Sequence, residues 1–146
     1  MSLFVEFTEP EIAAFVELSE PLSVKKGAHI VTQDAPGDAM FVLTQGRAKV
    51  IHRSGTQGVE LATLSCGDFF GELALIDQGP RSADVTALED CELLKIPQAT
   101  FRALAGVYPS AAIKFLIAVG GVLVKRLRQG NQRYIDSLLV TSDTIR

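Results

Sequence analysis

The chain has 146 residues, a length that suits one domain with a sizeable core. Hydrophobic residues make up 47% and charged residues 21%, which excludes a disordered polypeptide. A formal net charge of −3 argues against a free-standing nucleic-acid binder, because such domains are usually basic.

The elements are expected in one domain over residues 1–146: a helix over about 8–20, a β barrel over about 21–97, and C-terminal helices over about 98–138. Thr8 is placed to cap the first helix, with Pro10 in its first turn and Ile12, Phe15, Val16 and Leu18 on one apolar face. Four β-rich stretches follow: PLSVKKGAHIV, AMFVLTQGRAKVIHR, VELATLSCGDFF and SADVTALEDCELLKIP. Gly27, Asp34 to Asp38, Gly46, Ser54 to Gly58 and Gly67 separate the strands within and between them. Short strands at this spacing suggest a sandwich or a jelly-roll barrel. Cys66 and Cys91 lack CxxC spacing and follow no secretory leader, so both are expected as buried free thiols in a cytoplasmic protein.

The helical period returns in QATFRALAGVYP and continues in a longer helix from Pro109. Between Ala111 and Val124 only Lys114 is charged. These 14 residues fall short of the roughly 20 needed to cross a bilayer, so no membrane span is expected. A helix apolar nearly all round needs cover on more than one side. The barrel can cover one side, and a second copy of the chain the other, giving a homodimer through the 111–127 helix. Gly120-Gly121 permits close backbone approach there. The alternative is a helix buried wholly within one chain.

Within CGDFFGELALIDQGPRSADV, Glu72 and Arg81 are charges that strand chemistry does not require. FGELAL can make one turn, with Gly71 permitting tight entry, and the free N–H groups of such a turn favour an anion. Arg81 brings a planar fork of donors that matches a phosphate, and Ser82 adds a hydroxyl. Glu72 would repel a phosphate alone, but it can accept from a ribose hydroxyl on the same ligand. Gly71, Ala74 and Ala83 are small enough to leave room for it. The plainer alternative is a Glu72–Arg81 pair across a surface loop.

FGELAL followed by PRSADV resembles the phosphate-binding cassette of the cyclic-nucleotide-binding domain shared by catabolite-activator-type regulators, cyclic-nucleotide-dependent kinase subunits and gated channels. PGDAMFVLTQGRAKV and LSCGDFFGE fit the same pattern, and the resemblance runs from about Phe7 to Leu127. It implies that Glu72 holds the ribose 2′-OH, that Arg81 holds the exocyclic phosphate oxygens and Ser82 the phosphate, and that Gly71, Leu73 and Ala83 shape the pocket. The expected fold is mainly β with flanking helices, a double-stranded β-helix (jelly-roll) barrel carrying this cassette and C-terminal helices. The expected function is a cyclic-nucleotide sensor, with cyclic AMP preferred to cyclic GMP and no cofactor.

On the last helix Asn131 is the candidate reader of the base, with Tyr134 a possible stacking partner. Gly130 costs the helix about 1 kcal/mol, so the helix is expected to end or bend there. The basic cluster Lys125, Arg126, Arg128 and Arg133 reads as a solvated face. Only LVTSDTIR follows Leu138, too little for a winged helix, so direct DNA binding by this chain is not expected. His29 and His52 form no HxH pair, so neither a metal site nor an enzyme is expected. A dimerisation module with a vestigial pocket, or the sensory piece of a larger regulator or channel, fits the same residues.

Overall fold

Helix α1 (Glu9–Leu18) begins where the chain supplies both halves of a capping box. The Glu11 N–H donates to Thr8 Oγ1 at 3.4 Å, and the Thr8 N–H donates to Glu11 Oε1 at 2.8 Å. In this computed structural model residues 5–75 and 78–145 are described, with the backbone alone at Leu73 and from residue 133 onward. The helix buries Phe15, whereas Val16 is 46% exposed, so its apolar face is narrower than its composition suggests.

The strands are β1 (Glu20–Val24), β2 (His29–Val31), β3 (Ala39–Gln45), β4 (Ala48–Ser54), β5 (Gln57–Leu64), β6 (Phe69–Phe70), β7 (Asp84–Ala87) and β8 (Cys91–Pro97). They pair antiparallel into two four-stranded sheets, ordered β1-β8-β3-β6 and β2-β7-β4-β5. Among the described residues this is a roll of two sheets and not a closed barrel, within the expected class.

Strand β3 shows why the sheets stay together. Its run Ala39-Met40-Phe41-Val42-Leu43 is buried at every position. Met40 and Val42 join Phe15, Ile96, Leu104 and Phe115 under the helices, while Phe41 and Leu43 join Phe70, Val85 and Leu93 between the sheets. A strand covered on both faces loses the alternation of a half-exposed strand.

Two helices follow, α2 (Gln98–Val107) and α3 (Pro109–Ile145), with Pro109 at the first helical position of α3. Helix α3 runs through Gly120, Gly121 and Gly130 to Ile145, so the expected end or bend at Gly130 is replaced by continuous helix. Strong helix formers on either side, Arg128, Gln129 and Gln132, offset the cost of one glycine. No described helix is long and apolar enough to cross a membrane. One thiol also departs from expectation. Cys91 is buried, but Cys66 is exposed in the turn before β6, with its Sγ donating to the Thr44 carbonyl at 3.0 Å.

A partly buried ion pair ties the first and last helices together. Glu11 Oε1 accepts from Lys114 Nζ at 2.6 Å, and Oε2 accepts from Ser110 Oγ at 2.8 Å. Lys114 above all, then the Thr8 N–H and Ser110, bring the Glu11 carboxyl down from 4.5 to about 2. A carboxyl whose value falls on folding stabilises the fold above its ordinary value, and that stabilisation is lost as pH falls through the lowered one. Thermal unfolding from pH 5 to pH 2 is therefore expected to show wild-type stability falling steadily below about 4.5. Glu11→Gln starts less stable and shows a flatter acid limb; parallel wild-type and variant curves would rule out the pair as the cause.

Candidate ligand-binding site

Strand β6 carries the chain into the site. Phe69 and Phe70 pair with Val42 and Phe41, and the Phe70 ring stacks on Phe41 at 5.2 Å. Gly71 then turns with φ +74°, a conformation that L side chains rarely adopt. A single 3₁₀ turn over Glu72–Leu75 follows, with the Ala74 N–H donating to the Gly71 carbonyl at 3.1 Å. This is the one short turn expected from FGELAL.

The returning segment is held from outside by the loop before β3. Arg81 N–H donates to the Ala35 carbonyl at 2.9 Å, and the Arg81 carbonyl accepts from the Asp34 N–H at 2.8 Å. Pro36 and Pro80 face each other in an isolated antiparallel bridge. The Arg81 side chain turns inward, where Nη2 donates to the Ala39 carbonyl at 2.8 Å and Cζ lies 5.8 Å from the Phe41 ring centre. Burial lowers the Arg81 pKa and Asp38 opposes that shift, but a guanidinium keeps its proton at neutral pH. At the next residue His52 Nδ1–H donates to the Ser82 carbonyl at 2.9 Å.

Glu72 does not pair with Arg81. It is 8% exposed, and its Oε1 accepts from Arg126 Nη1 of α3 at 2.9 Å. Arg126 Nη2 also donates to the Phe69 carbonyl at 3.4 Å, and its Cζ stands 5.6 Å from the Phe69 ring centre. The surface-loop pairing is thus replaced by two separate anchors, one on the roll and one on the last helix. The 125–128 cluster is exposed, as a solvated face requires, but Arg126 in it also bonds Glu72 and the Phe69 carbonyl.

Between these anchors lies a cavity of about 440 Å³. Gly71, Glu72, Arg81, Ser82 and Ala83 form its polar wall, and Arg126, Gln129 and Gly130 of α3 face them. Valine and leucine side chains of the β2-β7-β4-β5 sheet, with Phe70, make the floor. A mostly apolar cleft with a few converging polar groups is the usual form of a small-ligand site. The cation of Arg81 and the carboxylate of Glu72 suit a ligand that carries both an anion and hydroxyl donors.

Of the residues singled out from sequence, Gly71, Glu72, Arg81, Ser82 and Ala83 meet in this wall, while Ala74 is buried but does not line the cavity. The side chains of Leu73, Arg133 and Tyr134 lie outside the described residues. Asn131 is exposed and off the wall, and the neighbouring Gln129 and Gly130 take its place. One residue along a helix rotates the side chain by about 100°, so a shift of one or two positions decides which group faces the cavity. Arg126, Gln129 and His52 were missed because no local pattern links them to a cassette far away in sequence.

A larger depression, about 710 Å³, lies on the outer face of the second sheet around Asp84. Its carboxylate is already engaged, accepting from the Gln33 N–H at 2.7 Å and from Arg53 Nε at 2.7 Å. The Gln33 N–H first, and Arg53 after it, hold the Asp84 carboxyl below its ordinary value. That face is open and its acid is satisfied, so the smaller cavity is the better candidate. No described cluster of three or more His, Cys, Asp or Glu residues could hold a metal ion.

Comparison with known proteins points the same way. Residues 21–108 match the model of the cyclic nucleotide-binding domain. Glutaminase 2 of Bradyrhizobium diazoefficiens is 33% identical over 132 residues, which are 90% of this chain and 20% of that protein. The cGMP-dependent protein kinase, isozyme 1, of Drosophila melanogaster is 32% identical over 108 residues, 71% of this chain and 14% of the kinase. The chain thus spans a fifth or less of these two relatives. The Thermus thermophilus catabolite activator protein superposes with a TM-score of 0.81 at 28% identity, covering 90% of this chain and 61% of that one. The match spans both sheets and the wall built by Glu72 and Arg81, and the chain belongs to the cyclic nucleotide-binding domain family.

Proposed function

We propose that the domain is a sensor of 3′,5′-cyclic purine nucleotides, preferring cyclic AMP to cyclic GMP, and that it signals through α3 in a homodimer. The observation that carries this reading is the convergence of Arg81, Glu72 and α3 on one cavity. The ligand phosphate sits at Arg81 and Ser82, where the apolar floor strengthens the charge-assisted bonds. Its ribose hydroxyl donates to Glu72, which as a carboxylate has acceptor sites for both Arg126 and the hydroxyl.

Base preference rests on the side chain that α3 offers. Gln129 lines the cavity, and an amide can pair in two places with the N6 and N7 edge of adenine. The names of the relatives do not decide the point, since the matched kinase is cGMP-dependent. A ligand that remodels the Glu72–Arg126 contact biases α3 between two dispositions, by no more than its differential affinity for them.

The partner surface is read from the other face of α3. Ile113, Ile117, Val124 and Leu127 are exposed, and with Gly120 they recur at intervals of four and three, the spacing of a coiled-coil seam. At Gly120 and Gly121 an added Cβ would meet nothing within 4 Å. A second copy laid along this stripe covers it.

Three measurements test the reading. In calorimetric titration wild type is expected to bind cyclic AMP more tightly than cyclic GMP, and Arg81→Ala to cost roughly 2–5 kcal/mol. Folded, ligand-free wild type that gives heat with neither nucleotide would leave a dimerisation module as the function. Arg126→Ala strands a nearly buried carboxylate, so urea unfolding should register a loss of about 1–3 kcal/mol, partly recovered by adding Glu72→Gln. In sedimentation equilibrium wild type is expected as a dimer and Ile117→Lys as a folded monomer; a monomeric wild type overturns the homodimer.

A further inference from the structure

We infer that Gly37 is a positioning residue for the site: with Gly71 it forms a backbone slot that seats the Arg81 guanidinium, and any side chain at position 37 displaces it. The inference rests on the reading of the cavity as a nucleotide site and adds the element that aims its cation.

The slot is visible in what a Cβ would meet. At Gly37 it would overlap Arg81 Nε and Cζ and lie 2.8 Å from Nη2. At Gly71 it would lie 2.6 Å from Arg81 Nη1. The guanidinium therefore passes between two residues that have no side chain, with Phe41 beside it and the Ala39 carbonyl on Nη2. A flat fork fills such a slot, and its orientation is then set before any ligand arrives.

The loop bearing Gly37 is the same one that holds the Arg81 backbone. Asp34 and Ala35 bond to the Arg81 carbonyl and N–H, and Pro36 bridges to Pro80. Backbone and side chain of one arginine are thus fixed by one loop, outside the cassette and more than 40 positions upstream.

The two glycines differ as probes. Gly71 has φ +74° and an added Cβ would also meet the Ala39 carbonyl oxygen at 3.2 Å, so a substitution there strains the backbone. The nearest atoms to a Cβ at Gly37 all belong to the Arg81 side chain, and Gly37 is not among the positive-φ glycines. A side chain can swing away, so Gly37→Ala is expected to fold and to misplace the guanidinium.

The experiment compares wild type and Gly37→Ala by thermal unfolding, by calorimetric titration with cyclic AMP, and by ¹⁵N NMR of the Arg81 side-chain N–H groups without ligand. The expected result is a nearly unchanged melting temperature, an affinity loss of about tenfold or more, and Arg81 signals that exchange slowly with water in wild type and fast in the variant. Unchanged affinity, or lost affinity with unchanged Arg81 signals, overturns the inference. Fast exchange of the Arg81 signals in wild type overturns it as well, whether or not the variant folds. Wild type that fails to bind cyclic AMP counts against the proposed function, while the Arg81 signals still decide the slot.

Discussion

A carboxylate taken out of water must find a cation or several donors, and Glu72 meets that demand with Arg126. The contact reaches from the 3₁₀ turn to α3, whose Arg126, Gln129 and Gly130 line the cavity. Without it the cassette and the last helix would share little beyond the apolar core. In the proposed function the same carboxylate also accepts from the ribose hydroxyl.

A second carboxylate–cation link, Glu11–Lys114, lies near the start of the helix. Lys114 and Arg126 stand 12 residues apart, or about 18 Å along the axis. The Glu11–Lys114 link, joined by Ser110 and the α1 cap, touches no wall of the cavity. The Glu72–Arg126 link borders the cavity and is half exposed on its arginine side. The start of α3 is therefore fixed to α1, and its middle to the turn that carries Glu72.

Arginine recurs in the site with two different supports. Arg126 keeps part of its side chain in water and lies over Phe69. Arg81 is drawn between two glycines, bonded to a carbonyl and stripped of much of its water. A desolvated, oriented guanidinium gains more from an arriving anion than a solvated one, because less reorganisation remains. His52 adds to the preset geometry. By holding the Ser82 carbonyl on one side it turns the Ala83 N–H of the same trans peptide to the opposite side.

What could be read from sequence was what short stretches of chain determine by themselves. The Thr8–Glu11 capping box, the strand runs with their glycine punctuation, and Glu72 and Arg81 within one cassette all depend on neighbours a few residues away. The family resemblance rested on the same local spacing. Tertiary structure decided which distant groups meet. It brought Arg126 to Glu72, His52 to Ser82, and Gly37 to Arg81; it turned Gln129 and Gly130, not Asn131, toward the cavity. It also buried both faces of β3, exposed Cys66, and left one stripe of α3 uncovered. These outcomes follow from packing and desolvation summed over two sheets and a long helix, and no pattern of adjacent residues encodes them.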